Sequence, residues 1–124
     1  MKQFGISKSQ AKYFLPPFEW YNSAIANWSQ QFGLMLVNYS PGTKSHTDWT
    51  YPKIGNGYQS SNEILESILN FETNQTDGLN GFILLLHIGS DPKRKDKFYL
   101  NLEALLIELN KRGYRFKRID ELLR

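Results

Sequence analysis

The chain has 124 residues and no cysteine, which excludes disulfide bonds, thiolate metal sites and cysteine nucleophiles. Its length suits a single domain over residues 1–124, and its 40% hydrophobic content supports a packed core rather than a disordered chain. The net charge of +3 arises partly in Lys93–Lys97, predicted as a polar loop, and partly at a helix C-terminus, so we expect no nucleic-acid partner.

The N-terminal third of the chain predicts two short strands with a helix between them. Tyr13–Leu15 and Leu34–Val37 are apolar runs of the length typical of buried strands. Between them, Tyr21–Phe32 carries apolar residues at helical spacing, with Asn22 as the expected N-cap and Gly33 as the C-terminal stop.

A long loop, Asn38–Gln59, follows the second strand and has neither a helical nor an alternating period. Loops of this length inside a compact domain are more often functional than accidental. Its aromatic residues are Tyr39, Trp49, Tyr51 and Tyr58. They suit a groove that stacks against sugar rings, and the alternative is that they pack locally and anchor the loop.

The rest of the chain alternates again between helices and strands. Ser60-x-x-Glu63 matches a capping box at the start of a helix that ends near Asn74. An unbroken apolar run then leads into His87, as in a strand buried on both faces. This strand is predicted over Phe82–Leu86 and is followed by a helix over Asp96–Arg112. An edge strand over Tyr114–Arg118 and a last helical turn over Ile119–Leu122 complete the prediction.

This order predicts an α/β fold with about four mostly parallel strands alternating with helices. In a parallel sheet, the loops that follow the strands meet at one edge, where ligands bind. Those loops hold Glu19, Trp20, His46, Asp48, Trp49, His87 and Asp91. The chain has no His-x-x-x-His pair, no phosphate-binding glycine loop and no serine nucleophile elbow. A histidine such as His87 needs a partner to act as a general acid.

Three motifs in the same order resemble the C-terminal half of metal-dependent polysaccharide deacetylases, the NodB-homology group of carbohydrate esterases. The segment Phe14-Leu15-Pro16-Pro17-Phe18 is similar to the family's Arg-Pro-Pro-Tyr motif. Thr47-Asp48-Trp49 is similar to its Asp-Trp motif, and Ile83-Leu84-Leu85-Leu86-His87 to its Leu-x-His motif.

The resemblance implies part of a distorted (β/α) barrel that hydrolyses N-acetyl groups of amino-sugar polysaccharides. It implies that His87 is the general acid and that Asp48 orients it. The residues implied in substrate binding are Leu85, Trp49, Pro17, Phe18, Glu19 and Trp20. Zinc or another divalent metal is the expected cofactor of the full-length family domain, and the cell envelope or the extracellular space its expected location.

The chain also departs from the family. It lacks the Thr-Phe-Asp-Asp and His-x-x-x-His motifs, and Leu15 stands where the family has an arginine. We therefore expect the chain to be a truncation or a divergent member that binds no metal alone and is inactive alone. The alternative is a non-catalytic carbohydrate-binding or assembly module that uses the aromatic loop 38–59. We also expect no membrane span, and self-association through exposed sheet edges.

Overall fold

The computed structural model describes residues 5, 7, 10–54 and 57–123. These residues group into two compact units, which divide after Tyr39.

The first unit contains two short parallel strands and one helix. Strand β1 is Tyr13–Phe14 and strand β2 is Met35–Leu36, with Tyr13 opposite Met35. Helix α1, Ser23–Gln31, connects them. The predicted N-cap is confirmed, because the Asn22 side chain accepts a hydrogen bond from the backbone N–H of Ile25 at 3.0 Å.

The second unit is built around helices. Helix α2 is Ser61–Asn74, helix α3 is Leu102–Lys111 and helix α4 is Ile119–Leu122. A 3-10 turn, Phe98–Asn101, leads into α3. The buried core consists of Ile64, Ile68, Leu79, Phe98, Leu105 and Leu109. Within the described ranges, no helix is both long enough and apolar enough to cross a membrane.

The capping box predicted at the start of α2 is confirmed. The Ser60 hydroxyl accepts from the backbone N–H of Glu63 at 3.3 Å, and the Glu63 carboxylate accepts from the backbone N–H of Ser60 at 2.7 Å. Two N–H groups that the helix itself leaves unpaired are thereby satisfied.

The apolar segment 82–87 is neither helix nor strand in the structure. Its backbone binds other groups: Ile83 N–H donates to the Ser40 hydroxyl at 3.0 Å, and Ser40 N–H donates to the Ile83 carbonyl at 2.9 Å. A strand needs the ladder of a neighbouring strand, and among the described residues segment 82–87 has none. Segment 114–118 is likewise neither helix nor strand, and the predicted four-stranded sheet and barrel stay predictions.

Helix α3 begins later than predicted. The predicted helix starts at Asp96, whereas helical structure starts with the 3-10 turn at Phe98. The reason is that the Asp96 carbonyl and carboxylate bind Arg94 and Ser61, which holds Asp96 outside the helix.

The capping box predicts that two serine substitutions differ in their effect on stability, one at the N-cap of α2 and one within the helix. Ser60→Ala should lower the free energy of unfolding by about 1 kcal/mol, because it removes the cap. In the part of the chain that the structure describes, the Ser67 hydroxyl has no hydrogen-bond partner, so Ser67→Ala should cause no loss. Urea denaturation measures both, and equal losses would contradict the assignment.

Candidate functional site

Asp48 and His87 form a close pair in the second unit. The Asp48 Oδ1 atom lies 2.6 Å from the His87 ring Nδ1, and Asp48 Oδ2 accepts from the His87 backbone N–H, also at 2.6 Å. The carboxylate is 1% exposed, whereas 29% of the His87 side chain is exposed. One buried carboxylate therefore holds both the main chain and the ring of a residue that solvent reaches.

This contact determines which ring nitrogen of His87 is free for chemistry. An ionised carboxylate only accepts hydrogen bonds, so Nδ1 is the donor in the pair. The other nitrogen, Nε2, is then the atom that can exchange a proton with a bound molecule. The arrangement can orient a histidine for general acid–base chemistry.

A tight turn presents Asp48 to the histidine. Ser45–Thr47 is a 3-10 turn, and the Asp48 N–H donates to the Ser45 carbonyl at 3.3 Å. The backbone N–H and the hydroxyl of Thr50 both donate to the Thr47 carbonyl, at 2.9 and 2.7 Å. Short-range hydrogen bonds on both sides of Asp48 thus fix its backbone.

Trp49 and Leu85, the two predicted substrate contacts in this unit, differ in exposure. The Trp49 side chain, directly after Asp48, is 45% exposed, whereas Leu85 is half-buried. Trp49 therefore offers an aromatic surface beside the buried carboxylate, and the substrate contacts of both residues stay predictions.

The predicted contacts from Pro17 to Trp20 lie in the first unit. Pro17–Glu19 forms a 3-10 turn in which Phe18 and Glu19 both have a φ of +56°, a left-handed conformation that non-glycine residues rarely adopt. Asn38 supports this turn, because its side-chain N–H donates to the Glu19 carbonyl at 2.8 Å. Phe18 and Trp20 are exposed. Since the other candidate residues belong to the second unit, a joint site stays a prediction.

Two aromatic residues of the long loop pack locally. The Lys93 ammonium lies 4.9 Å from the centre of the Tyr51 ring. The Tyr58 hydroxyl donates to the Asp96 carboxylate at 3.1 Å, and the Arg94 guanidinium lies 5.5 Å from the centre of its ring. Of the two interpretations of these aromatics, local packing describes Tyr51 and Tyr58.

Arg94 lies in the polar loop predicted over Lys93–Lys97 and is fully buried there. Five hydrogen bonds match the five N–H donors of its guanidinium. They run to the carbonyls of Asp96, Thr50 and Gln59, to the Ser61 hydroxyl and to the Asp96 carboxylate, at 2.8, 2.8, 3.0, 3.1 and 3.4 Å. No sequence pattern distinguishes Arg94 from the lysines on either side of it.

The half-buried carboxyl group of Asp96 pairs with the buried guanidinium of Arg94. Burial raises its pKa, but the backbone N–H of Ser61, the Arg94 guanidinium and the Tyr58 hydroxyl together outweigh burial. The pKa of Asp96 therefore lies below its usual value. The Asp96 carboxylate is thus held in its charged form in the folded protein.

Lys97 holds the loop that follows His87. Its ammonium donates to the carbonyls of Ser90 and Asp91, at 3.1 and 2.8 Å. It also donates to the Ser90 hydroxyl at 3.0 Å. Like Arg94, Lys97 donates hydrogen bonds to backbone carbonyls. Its position in a run of basic residues does not predict these contacts.

The residues of the site do not fit a zinc centre. Zinc is bound by three or four protein ligands, and no three His, Asp or Glu side chains cluster within residues 10–54 and 57–123 in a way that could hold a metal ion. In addition, one Asp48 oxygen already binds His87 Nδ1, and the other oxygen already binds the backbone N–H of His87.

The Asp48–His87 contact predicts the tautomer of the histidine ring. In the wild-type protein the neutral ring should carry its proton on Nδ1. The carboxamide introduced by Asp48→Asn has one acceptor oxygen for two donors, so the ring should shift to the Nε2–H tautomer and accept from the amide. Long-range ¹H–¹⁵N NMR, with His46→Gln to assign the signals, measures this. An unchanged Nδ1–H tautomer in Asp48→Asn would argue against the pairing.

The lowered pKa of Asp96 predicts a stabilisation that depends on pH. A carboxyl whose pKa is lower in the folded state stabilises the fold above its unfolded pKa, about 3.9. That stabilisation is lost as pH falls through the folded value. The difference in unfolding free energy between wild type and Asp96→Asn should therefore be constant near neutral pH and shrink below about pH 4. Urea denaturation across this range tests the expectation, and a constant difference down to the lowest pH would refute it.

The sequence of the chain is similar to that of a curated protein. Over 111 residues, 90% of this chain, the sequence is 31% identical to the peptidoglycan-N-acetylglucosamine deacetylase of Bacillus cereus. The matched region covers 45% of that protein, so the chain spans less than half the length of the relative. No protein-family model matches the chain, and no solved structure matches it. The similarity supports a distant relation to a polysaccharide deacetylase.

Proposed function

We propose that this chain is the acid-bearing part of a polysaccharide deacetylase that hydrolyses N-acetyl groups of amino-sugar polymers. The observation that carries the proposal is the 2.6 Å contact between Asp48 Oδ1 and His87 Nδ1. Its support is the similarity to a peptidoglycan-N-acetylglucosamine deacetylase over 90% of the chain.

In this proposal His87 is the general acid. Hydrolysis of an acetamide adds water to the carbonyl carbon and breaks the carbon–nitrogen bond, and the departing amine needs a proton. Asp48 binds Nδ1, so the protonated ring donates from Nε2 to the amine nitrogen. The products are acetate and the free amino sugar, and Asp48 keeps the ring oriented throughout.

In the proposal, the Asp48 carboxylate is itself held in a fixed orientation. The backbone N–H of His87 binds the other carboxylate oxygen, so the carboxylate cannot turn away from the ring.

In the proposal, the substrate is contacted by the long loop and by the segment that leads into His87. Trp49, with its exposed ring, stacks on a sugar, and Leu85 lines the space for the acetyl methyl group. Sugar–aromatic contacts of this kind bury apolar area on the flat face of the ring.

The chain lacks the Thr-Phe-Asp-Asp and His-x-x-x-His motifs that supply the family's general base and metal ligands, and its described residues hold no metal-binding cluster. The proposal therefore assigns them to polypeptide outside these 124 residues, as the length of the relative allows. On this basis, the isolated chain has no deacetylase activity with or without added zinc.

A chimera tests the proposal directly. The chain replaces the matching region of the Bacillus cereus deacetylase, and acetate release from N-acetylglucosamine oligomers is measured. Within an active chimera, His87→Ala should lower kcat by about 100- to 10,000-fold, because general acid catalysis typically contributes that much. His46→Ala is the matched control, since His46 is the other histidine of the chain.

Two results separate this function from its rival, a non-catalytic carbohydrate-binding module. Full activity of the His87→Ala chimera would refute the general-acid role. Binding of N-acetylglucosamine oligomers to the isolated chain that is lost in Trp49→Ala, together with an inactive chimera, would favour the binding module. The exposed ring of Trp49 is the observation behind that rival.

A further inference from the structure

Arg94 connects the two loops that carry the candidate acid pair. It follows His87 in the same loop, where its backbone N–H donates to the Asp91 carbonyl at 2.9 Å. From there its guanidinium reaches the long loop, donating to the Thr50 carbonyl at 2.8 Å and the Gln59 carbonyl at 3.0 Å. Thr50 closes the tight turn that presents Asp48.

The contact with Thr50 is made to the main chain. A carbonyl bound by a fixed guanidinium fixes the backbone, whereas a side-chain contact leaves the backbone freer to move. Thr50 is in turn joined to Thr47 by two hydrogen bonds, so holding its carbonyl holds the whole turn around Asp48.

Burial makes this connection rigid. Arg94 is 0% exposed, so water is not at hand to replace a lost partner, and an unpaired donor next to a buried charge is costly. The guanidinium is also planar, with its five donors in a fixed fork. Its acceptors must therefore keep their relative positions for all five bonds to form.

We propose that Arg94 is a positioning residue that sets the register between the two loops, so that the Asp48 carboxylate meets the His87 ring. The chemical role of the pair rests on the proposed function, whereas the connection itself rests on the hydrogen bonds. None of the five hydrogen bonds of the Arg94 guanidinium runs to Asp48 or His87, and it acts through the Thr50 carbonyl on one side and its own loop on the other.

Arg94→Lys is the informative substitution, because it keeps the charge and removes the fork. The ring Nδ1–H proton of His87 should exchange with water about tenfold faster or more, as expected when hydrogen bonds to a charged group are lost. The amide signals of α2 and α3 should stay in place, which separates mispositioning from general unfolding.

Arg118→Lys is the matched control, since the Arg118 side chain is 79% exposed and pairs with Asp120. It should leave the His87 signal unchanged. Arg94→Lys with folded helices and the same His87 exchange rate as Arg118→Lys would overturn the proposal.

A measurement on the unaltered chain covers the case in which Arg94→Lys does not fold. If release of Arg94 frees the pair, the backbone N–H of His87 must open at least as easily as the Nη1–H groups of Arg94, which bind the long loop. Native-state hydrogen exchange gives both opening free energies. A larger opening free energy for His87 than for Arg94 would show that the pair survives without Arg94, and would overturn the proposal. Both experiments are made without substrate, so their outcome is independent of the chimera test.

Discussion

The buried guanidinium of Arg94 is the interaction on which the second unit depends. A charge without solvent contact is tolerated only if every donor is paired, and here the acceptors come from separate stretches of the chain. Two acceptors, the carbonyls of Thr50 and Gln59, belong to the long loop. Two others, the carbonyl and the carboxylate of Asp96, lie just before the 3-10 turn that leads into α3. One side chain thus ties two carbonyls of the long loop to the stretch before α3, and the described residues of that loop pair with no strand.

The Asp48–His87 pair is held by several contacts at once. Asp48 is buried, its backbone is fixed by a tight turn, and its two oxygens bind one residue. In the proposed function, such preorganisation removes the cost of orienting the donor during the reaction. The sequence similarity to a peptidoglycan-N-acetylglucosamine deacetylase supports that proposal.

Sequence patterns predicted the helix caps, which depend on residues close to each other in the sequence. The caps at Asn22 and Ser60 involve partners three residues away, so composition and spacing were enough. The strand predicted over Phe82–Leu86 depends on a distant partner strand, and apolar composition alone does not supply one. The contact of Asp48 with His87 followed from a family resemblance and from no spacing rule. Arg94 was missed because burial of one cation in a basic run is decided by the acceptors around it.

The double contact of Asp48 has a consequence for how this site can change in evolution. One carboxylate oxygen binds a backbone N–H, which any residue except proline provides at position 87. The loops can therefore stay joined after the imidazole has been replaced. Selection for the joined loops and selection for the imidazole therefore act on different atoms of the same residue. A sequence that replaces the ring can keep the contact between the loops.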